Sequence, residues 1–429
     1  MFGKRSWILV ILIFVTRGYG HTVNFSPEQL TIHIDSLATV KYEFIAASST
    51  VIQGDDEYVI WVENDGIARL ANGNVTILLS RVVNGSFFIQ GESLGRTKIL
   101  CQNNKTGATI NYVDVTVVRP ERVIDTIFTA SVATLISVIY INFGAALDWD
   151  KLKDILKRPI GPAIAFCGQF IFQPLVAYGL GKLLFPENPD QQLGLLFTGA
   201  SPGGGASNLW TLLLGGNVGL SIVATAMSTI AAFATMPFWL FTLGKTIFES
   251  GNIEVPYGQI SSYVFALLVP LGIGYLIQRY NKYIATFLAK ITKAFTALLL
   301  IFVIVFAAVT NLYLFELFSW EIFVAGMSLP WMGYLFGYVV SKILRQSEED
   351  CIAIAVEIGI QNTGIAIFLL RFTLPQPEAD LTTVIPVSVA ILTPLPLILL
   401  YFCKLTISRL KNISKSRSVD NTNPSTATT

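Results

Sequence analysis

The residues best able to do chemistry form a short polar interruption within a long apolar stretch. Glu357 is followed by Gln361, Asn362 and Thr363, and apolar residues flank the group on both sides. A carboxylate at the centre of a bilayer costs roughly 2.5–3.5 kcal/mol, so it needs a partner or a function. No basic residue lies at comparable depth, although a polar neighbour such as Gln169 could serve as a purely structural partner. The pattern favours an ion site.

A second interruption lies earlier in the chain. Residues 199–208 read GASPGGGASN, with Pro202 followed by three glycines. Proline and glycine break helices, and broken backbone in hydrocarbon survives only where it is buried in protein or lines a cavity. The two interruptions fall in the third and eighth predicted spans, at corresponding places in two halves of opposite direction. Paired broken helices in inverted repeats indicate a transport site near the middle of the membrane.

Oxygen-bearing side chains gather in these two segments and in the helix that follows the first. They are Ser207, Asn208, Ser221, Thr225, Glu357 and Gln361. Na⁺ is a hard cation that prefers carboxylate, amide, hydroxyl and carbonyl oxygens, and soft or imidazole ligands for transition metals are missing from this set. Each Na⁺ that enters with the membrane potential gains about 2.3 kcal/mol per 100 mV. Sodium is therefore the expected coupling ion.

The composition excludes several classes of protein. The chain has 429 residues, of which 53% are hydrophobic and 13% charged, about half the charged fraction of soluble domains. This argues against disorder, nucleic-acid binding and an ordinary cytosolic enzyme. Gly199–Gly203 matches a hydrolase G-x-S-x-G pattern, but the only histidines, His21 and His33, lie far from it, and the pattern needs a histidine partner. We expect neither enzymatic activity nor a cofactor other than the coupling ion.

The first 20 residues read as a secretory signal peptide. Lys4 and Arg5 precede the apolar run 7–15, and Gly18 and Gly20 follow it. Nine apolar residues are too few to span the hydrocarbon core, which needs about 20. Cleavage is expected near Gly20, with an uncleaved anchor as the alternative.

Residues 21–120 are predicted to form an immunoglobulin-like β-sandwich outside the cell. Alternating apolar residues predict strands at 58–62, 75–79 and 112–118, and Asn-Gly pairs at 72–73 and 84–85 predict turns. Cys101 is the only cysteine in this segment, which favours a buried free thiol over an intermolecular bridge. Four glycosylation sequons are expected to be used, at Asn24, Asn74, Asn84 and Asn104.

Residues 121–406 are predicted to be a mostly helical domain with nine membrane spans. The spans are 124–147, 160–185, 191–216, 218–242, 257–279, 286–310, 319–343, 350–372 and 380–404. Basic residues concentrate in the loops that this count places in the cytosol, which predicts an outside N-terminus and a cytosolic C-terminus. Residues 407–429 are expected to form a disordered cytosolic tail. The plasma membrane is the expected location, with a secretory-pathway membrane as the alternative.

Four stretches resemble the bile acid:sodium symporter family (solute carrier family 10). They are SPGGGASN (201–208), LSIVATAMSTIAAFATMP (220–237), EIGIQNTGIAI (357–367) and GAALDWDKLKDILKRP (144–159). The resemblance covers roughly residues 124–404. The signal peptide and ectodomain are not part of the bile acid carriers and look like the orphan, "P3 protein"-like branch of the family.

The resemblance implies two sodium ions behind the point where the broken helices cross. One would use Ser207, Asn208, Ser221 and Thr225 together with Glu357. The other would use Glu357, Gln361, Gln169 and the backbone carbonyls near Ile358 and Ile360, with Gln173 as a close competitor for the place of Gln169. The family's fold also implies a mobile core (spans two to four and seven to nine), a panel (spans one, five and six) and a substrate cleft between them.

The function expected from these observations is sodium-coupled symport of an amphipathic organic anion, such as a bile acid or a steroid sulfate, by alternating access. Two Na⁺ against one carboxylate would leave one positive charge for a singly charged anion to neutralise. The alternative is a receptor-like or adhesion protein that retains a transporter core, and proton coupling through Glu357 is a weaker third option. Sodium ions, the anion and the lipid bilayer are the expected partners; nucleic acid is not, and the oligomeric state stays open.

Overall fold

The computed structural model describes residues 22–45, 57–78, 84–120, 122–146, 157, 159–251, 253, 255–288, 290–291, 298, 301–302 and 318–422. The chain divides into two compact units, residues 1–120 and 121–429. The predicted signal peptide lies outside the described residues.

The first unit is all-β, as predicted. Its strands are β1 (Thr22–Ser26), β2 (Gln29–His33), β3 (Leu37–Ile45), β4 (Glu57–Val62), β5 (Ala68–Leu70), β6 (Val75–Leu78), β7 (Asn84–Gly91), β8 (Gly95–Asn103) and β9 (Thr109–Val118). They form a four-stranded sheet, β1-β3-β7-β5, and a five-stranded sheet, β2-β9-β8-β4-β6. Only the β2–β9 pair is parallel among the described pairs.

The two sheets share one apolar core. Alternate residues of each strand are buried, as in Val113, Val115 and Val117 of β9. Phe44 of the first sheet lies against Tyr58 of the second, with ring centroids 5.2 Å apart. The unit is thus a sandwich, with Cys101 buried in its core as a free thiol. Burial raises the pKa of this thiol to about 12.

The two predicted Asn-Gly turns have different outcomes. Gly73 lies in a turn between β5 and β6, with a φ of 76°. Asn84 and Gly85, by contrast, are the first residues of β7, so the prediction of a turn there was wrong. Gly85 pairs with Tyr42 of β3, and an added Cβ would overlap the Tyr42 ring. The glycine therefore makes room for a cross-strand aromatic side chain instead of reversing the chain.

The second unit is helical. Its helices are α1 (Val123–Ala146), α2 (Ile160–Cys167), α3 (Gln173–Leu184), α4 (Pro189–Ala200), α5 (Ser207–Leu214), α6 (Val218–Trp239), α7 (Lys245–Ser250), α8 (Tyr257–Ala266), α9 (Leu268–Tyr280), α10 (Trp320–Ile343), α11 (Glu348–Gly359), α12 (Thr363–Thr373), α13 (Glu378–Leu392) and α14 (Pro394–Thr422). Short π-helical turns, Gly168–Phe172 and Leu240–Gly244, join α2 to α3 and α6 to α7.

Six helical stretches in the described part of the chain are long and apolar enough to cross a membrane. They are Val123–Ala145, Ile160–Leu184, Val218–Ser250, Tyr257–Tyr280, Trp320–Ile343 and Glu378–Ile407. The predicted third and eighth spans each consist of two shorter helices, α4 with α5 and α11 with α12. The predicted sixth span, 286–310, lies largely outside the described residues. The unit is therefore mostly helical with several candidate membrane spans, whereas the count of nine spans and the inverted repeat stay predictions.

Glycines set the closest helix contacts in this unit. Gly144 of α1 and Gly274 of α9 face each other so closely that a Cβ on either would overlap the partner's backbone. Gly333 and Gly337 of α10 lie in the same way against Gly359 and Ala355 of α11. The GxxxG pattern at 333–337 thus serves close packing within the chain, and it brings α10 next to the end of α11.

The last helix is longer than the sequence suggested. A disordered tail was expected from residue 407, but α14 continues to Thr422. Residues 405–422 contain neither proline nor glycine, so no helix-breaking residue stops the helix that starts in the apolar segment.

Candidate functional site

Two breaks in the helices meet in the second unit, and we call them together the crossing (residues 201–206 and 360–362). Gly203 forms an antiparallel bridge with Gln361. The backbone N–H of Gly204 donates to Ile360 O at 2.7 Å, and that of Asn362 donates to Pro202 O at 2.9 Å. Each break therefore satisfies polar backbone groups of the other, which lets non-helical backbone exist at this depth.

Glycine is required where the two breaks touch. A Cβ at Gly203 would overlap Oε1 of Glu357, and a Cβ at Gly204 would lie 2.8 Å from Gln361 O. The run of glycines in the third predicted span thus lets bare backbone approach both the opposite break and a carboxylate.

Glu357 lies in the last turn of α11 and is 1% exposed. Its Oε2 accepts hydrogen bonds from Ser207 Oγ at 2.7 Å, Thr225 Oγ1 at 2.9 Å and, more weakly, Ser221 Oγ at 3.4 Å. Ser207 is the first residue of α5, and the other two hydroxyls lie one turn apart on α6. Four of the candidate residues on three helices are thus brought together around one carboxylate oxygen.

The other oxygen of Glu357 is left open. Oε1 is buried and has no hydrogen-bond partner within the described part of the chain, and no basic side chain described there pairs with the carboxylate. Asn208 Oδ1 is also buried without such a partner. Buried polar atoms are normally paired, so these oxygens have capacity for a cation. Ser207, Asn208, Ser221, Thr225 and Glu357 therefore fit a hard cation such as sodium.

The candidates for a second ion are also close together, but most of their oxygens already accept hydrogen bonds. Gln169 Nε2 donates to Gln361 Oε1 at 2.6 Å and to Ser201 O at 2.7 Å. Gln361 Nε2 donates to Ile358 O at 2.7 Å, and Ile360 O accepts from Gly204. Among the side-chain oxygens of this group, Gln169 Oε1 has no partner within the described ranges. A cation here would have to displace amide hydrogen bonds.

The π-helical turn after α2 positions the amides of the second predicted span. It leaves Phe170 O free to accept from Trp239 Nε1 at 2.7 Å. Gln169 lies within this turn, and Gln173 begins α3 directly after it. Trp239 thus joins α6 to this turn, and the irregular turn aims both glutamines at the end of α11.

Sequence reasoning missed two hydroxyls at this site. Ser228 Oγ accepts from the backbone N–H of Gly203 at 3.2 Å, and Thr211 Oγ1 donates to Ser221 Oγ at 3.3 Å. Ser228 follows Ser221 and Thr225 at helical spacing, so the periodicity of α6 could have revealed it. Thr211 follows Ser207 by four residues, and this helical spacing could have revealed it in the same way.

A pocket between α2 and α6 reaches the site. It holds about 230 Å³ of empty space, counted to its open mouth. Its lining residues are Pro162, Ala165, Phe166, Gln169, Ala224, Met227, Ser228 and Glu357. The enclosed part of this space has room for about one water-sized molecule, so it suits an ion or a water molecule better than a steroid-sized anion.

Long apolar helices and a crossed pair of broken helices are typical of membrane transport proteins. Residues 133–316 match the family model described as Sodium Bile acid symporter family. This confirms the resemblance to the bile acid:sodium symporter family. The matched residues include the first break of the crossing and end before Glu357.

Curated relatives agree with this classification. The human "P3 protein" is 28% identical over 260 residues, which cover 60% of this chain and 54% of that protein. The rat "Sodium-dependent organic anion transporter" is 31% identical over 252 residues, covering 58% of this chain and 66% of the relative. The rat "Hepatic sodium/bile acid cotransporter" is 29% identical over 261 residues, covering 60% and 71%. The alignments thus span between about half and seven tenths of these relatives.

Proposed function

We propose that this protein is a sodium-coupled symporter of an amphipathic organic anion. The observation that carries the proposal is the buried Glu357, whose Oε2 is held by three hydroxyls while Oε1 has no partner among the described residues. Two of the relatives are named as sodium/bile acid and sodium-dependent organic anion carriers. Those names support sodium coupling and an anionic substrate, and they make the receptor-like alternative the weaker one.

The residues around Glu357 have distinct roles in this proposal. The carboxylate supplies the negative charge, and the hydroxyls of Ser207, Ser221 and Thr225 fix its orientation and offer their own oxygens to the ion. Asn208 Oδ1 adds a buried neutral oxygen. Because these groups lie on α5, α6 and α11, a bound ion would tie three helices together. Sodium would thereby stabilise one arrangement of the core, which is how an ion gradient can be coupled to a conformational change.

The substrate would bind outside the small pocket at Glu357, in a cleft between a core (spans two to four and seven to nine) and a panel (spans one, five and six). Two Na⁺ and one carboxylate carry a net charge of +1, so a singly charged anion such as a bile acid or a steroid sulfate would neutralise the loaded protein. The positive ends of two half-helices also meet at the crossing, since α5 begins at Ser207 and α12 at Thr363. Partial positive charge there favours an anion.

We further propose that the protein is a multi-pass protein of the plasma membrane, with its N-terminal unit outside and its C-terminus in the cytosol. All four sequon asparagines, Asn24, Asn74, Asn84 and Asn104, are exposed on the β-sandwich. Their exposure is compatible with glycosylation of that unit in the secretory pathway.

The test is uptake of a panel of radiolabelled bile acids and steroid sulfates into cells that express the protein. Replacing external Na⁺ by choline should abolish the uptake of at least one of these anions. The Glu357→Gln variant should lose Na⁺-dependent uptake at equal surface expression, because it removes the charge that binds the ion. The matched control is Glu249→Gln, which changes an exposed acid that pairs with Lys245 and should leave uptake unchanged. Uptake that persists in choline, or Na⁺-driven uptake by Glu357→Gln, would contradict the proposal.

A further inference from the structure

Gln173 is a fully buried amide that the predicted ligand sets include only as an alternative to Gln169. It is 0% exposed, and its Nε2 donates to the backbone O of Ile358 at 2.7 Å. Its Oε1 is buried and has no hydrogen-bond partner within the ranges that the structure describes. The amide thus joins the start of α3 to the last turn of α11, next to Glu357.

The carbonyl oxygen that Gln173 contacts accepts two hydrogen bonds. Ile358 O accepts from Gln173 Nε2 and from Gln361 Nε2, both at 2.7 Å. A carbonyl oxygen has two lone pairs, so this oxygen has none left for a cation. The ligand set predicted for the second sodium ion includes the backbone carbonyl near Ile358. One of the two amides must therefore leave before that ion can bind.

Packing holds Gln173 in this position. A Cβ at Gly333 of α10 would overlap Gln173 Nε2 and lie 2.9 Å from Ile358 O. On its other side, the backbone O of Gln173 would be 2.9 Å from a Cβ at Gly199 of α4. Gly333 thus leaves just enough room for the amide, and Gly199 leaves room for the backbone of Gln173. Gln361, by contrast, lies in the non-helical break and is itself a proposed ligand.

We propose that Gln173 is a positioning residue that competes with sodium for the Ile358 carbonyl and so lowers the affinity of the second sodium site. This inference rests on the proposed function. Sodium binds when the Gln173 amide releases the carbonyl, and the amide returns when sodium leaves. Removing the Nε2 donor should therefore strengthen sodium binding, which is the opposite of what loss of a ligand would do.

The test is thermal unfolding of the purified full-length protein in detergent, titrated with NaCl against KCl at constant ionic strength. A ligand that binds the folded state raises the unfolding temperature with its concentration. The Gln173→Met variant keeps the volume and removes the donor. Its sodium midpoint should be about two- to tenfold lower than that of the wild type, as expected from the net strength of one hydrogen bond. Gln173→Leu should shift the midpoint in the same direction and serves if the first variant folds poorly.

Gln192→Met is the matched control. Gln192 is also buried, and its Nε2 donates to a backbone oxygen, Phe185 O, at 2.5 Å, away from the crossing. The midpoint of this variant should equal that of the wild type. A midpoint for Gln173→Met or Gln173→Leu that is unchanged or raised would overturn the inference. A wild-type protein whose unfolding temperature does not respond to sodium at all would instead refute the proposed function.

Discussion

Two buried acids in the helical unit are held in opposite ways. Asp380, in the first turn of α13, is 0% exposed, and its Oδ1 lies 2.7 Å from Nη1 of Arg371, which is itself 5% exposed. The Arg371 guanidinium also lies 5.6 Å from the Phe128 ring of α1. Glu357, which is equally buried, has three hydroxyl donors on one oxygen and no basic partner within the described residues.

The difference separates an acid that is paired with a base inside the protein from an acid with one open oxygen. A buried acid with a guanidinium at hydrogen-bond distance is neutralised within the protein and requires no ion. A buried acid with one open oxygen is stable only if something else supplies positive charge or a proton. The contrast therefore indicates that Arg371 and Asp380 belong to the architecture, where they join α12, α13 and α1, and it supports the proposed role of Glu357 in ion binding.

The largest expected effect is on the buried pair. Arg371→Met should lower the free energy of unfolding by about 3–5 kcal/mol, because it removes the guanidinium 2.7 Å from the buried Asp380 carboxylate. Thermal unfolding in detergent measures this. Lys245→Met is the control, since it breaks an exposed pair with Glu249 and should cost at most about 1 kcal/mol.

The double variant Arg371→Met/Asp380→Leu decides whether the loss comes from burying the Asp380 charge without Arg371. It should recover most of the stability that Arg371→Met loses, since neither charge then remains buried. Equal destabilisation of the single and double variants would show that packing around Arg371, and not its charge, stabilises the contact of α12 with α13 and α1.

The second prediction concerns the open carboxylate. Glu357→Gln should remove the stabilisation that sodium gives the wild type, about 2.7 kcal/mol at a sodium concentration a hundredfold above the Kd. In sodium-free buffer the same variant should differ from the wild type by far less than Arg371→Met does, because no paired charge is orphaned. Unfolding measured in NaCl and in KCl checks both halves. A large loss of stability without sodium would place Glu357 in the same structural class as Asp380.

A smaller effect is expected from the hydroxyls around Glu357. Thr225→Val removes a donor at 2.9 Å from Oε2, and hydrogen bonds to charged groups contribute about 1.5–3 kcal/mol. Sodium affinity should therefore fall about tenfold or more, leaving at most about 1.4 kcal/mol of the sodium stabilisation under the same conditions. Thr229→Val is the control, because Thr229 is buried one turn further on α6 and donates only to Thr225 O among the described groups. Equal sodium midpoints for the two variants would contradict the site.

The sequence predicted the parts of this contrast that depend on residue type. Pro202 with its glycines predicted one break, and a lone acid amid apolar residues predicted the importance of Glu357. It could not show which oxygen of Glu357 stays open, because that depends on how α5, α6 and α11 meet at the crossing. Nor did it reveal the pairing of Arg371 with Asp380, since they lie near the ends of consecutive predicted spans and no short pattern links them.

The same limit applies to the amides and to the ectodomain. Gln169 and Gln173 have one residue type and similar surroundings in sequence, so only the fold distinguishes a contact with Gln361 from a contact with Ile358. Asn84 and Gly85 have the local preference of a turn, yet pairing with Tyr42 across the sheet overrides that preference. In each case a contact between distant segments decides the outcome, and residue type alone does not.

The smallest expected effect concerns a third buried ionisable group, the thiol of Cys101, which extends the comparison of Asp380 with Glu357. Among the described residues no charged partner of Cys101 is found, and burial raises its pKa from 9.0 to about 12, so the thiol stays neutral. Because the folded pKa is the higher one, this group leaves stability unchanged below about pH 9 and lowers it only as the pH rises further. At pH 8 a maleimide should label Cys101 far more slowly in the folded protein than after denaturation, with mass spectrometry as the readout. Equal labelling rates would show that the Cys101 thiol is accessible to solvent. Burial of a neutral thiol would then not explain how the core of the β-sandwich tolerates an ionisable group.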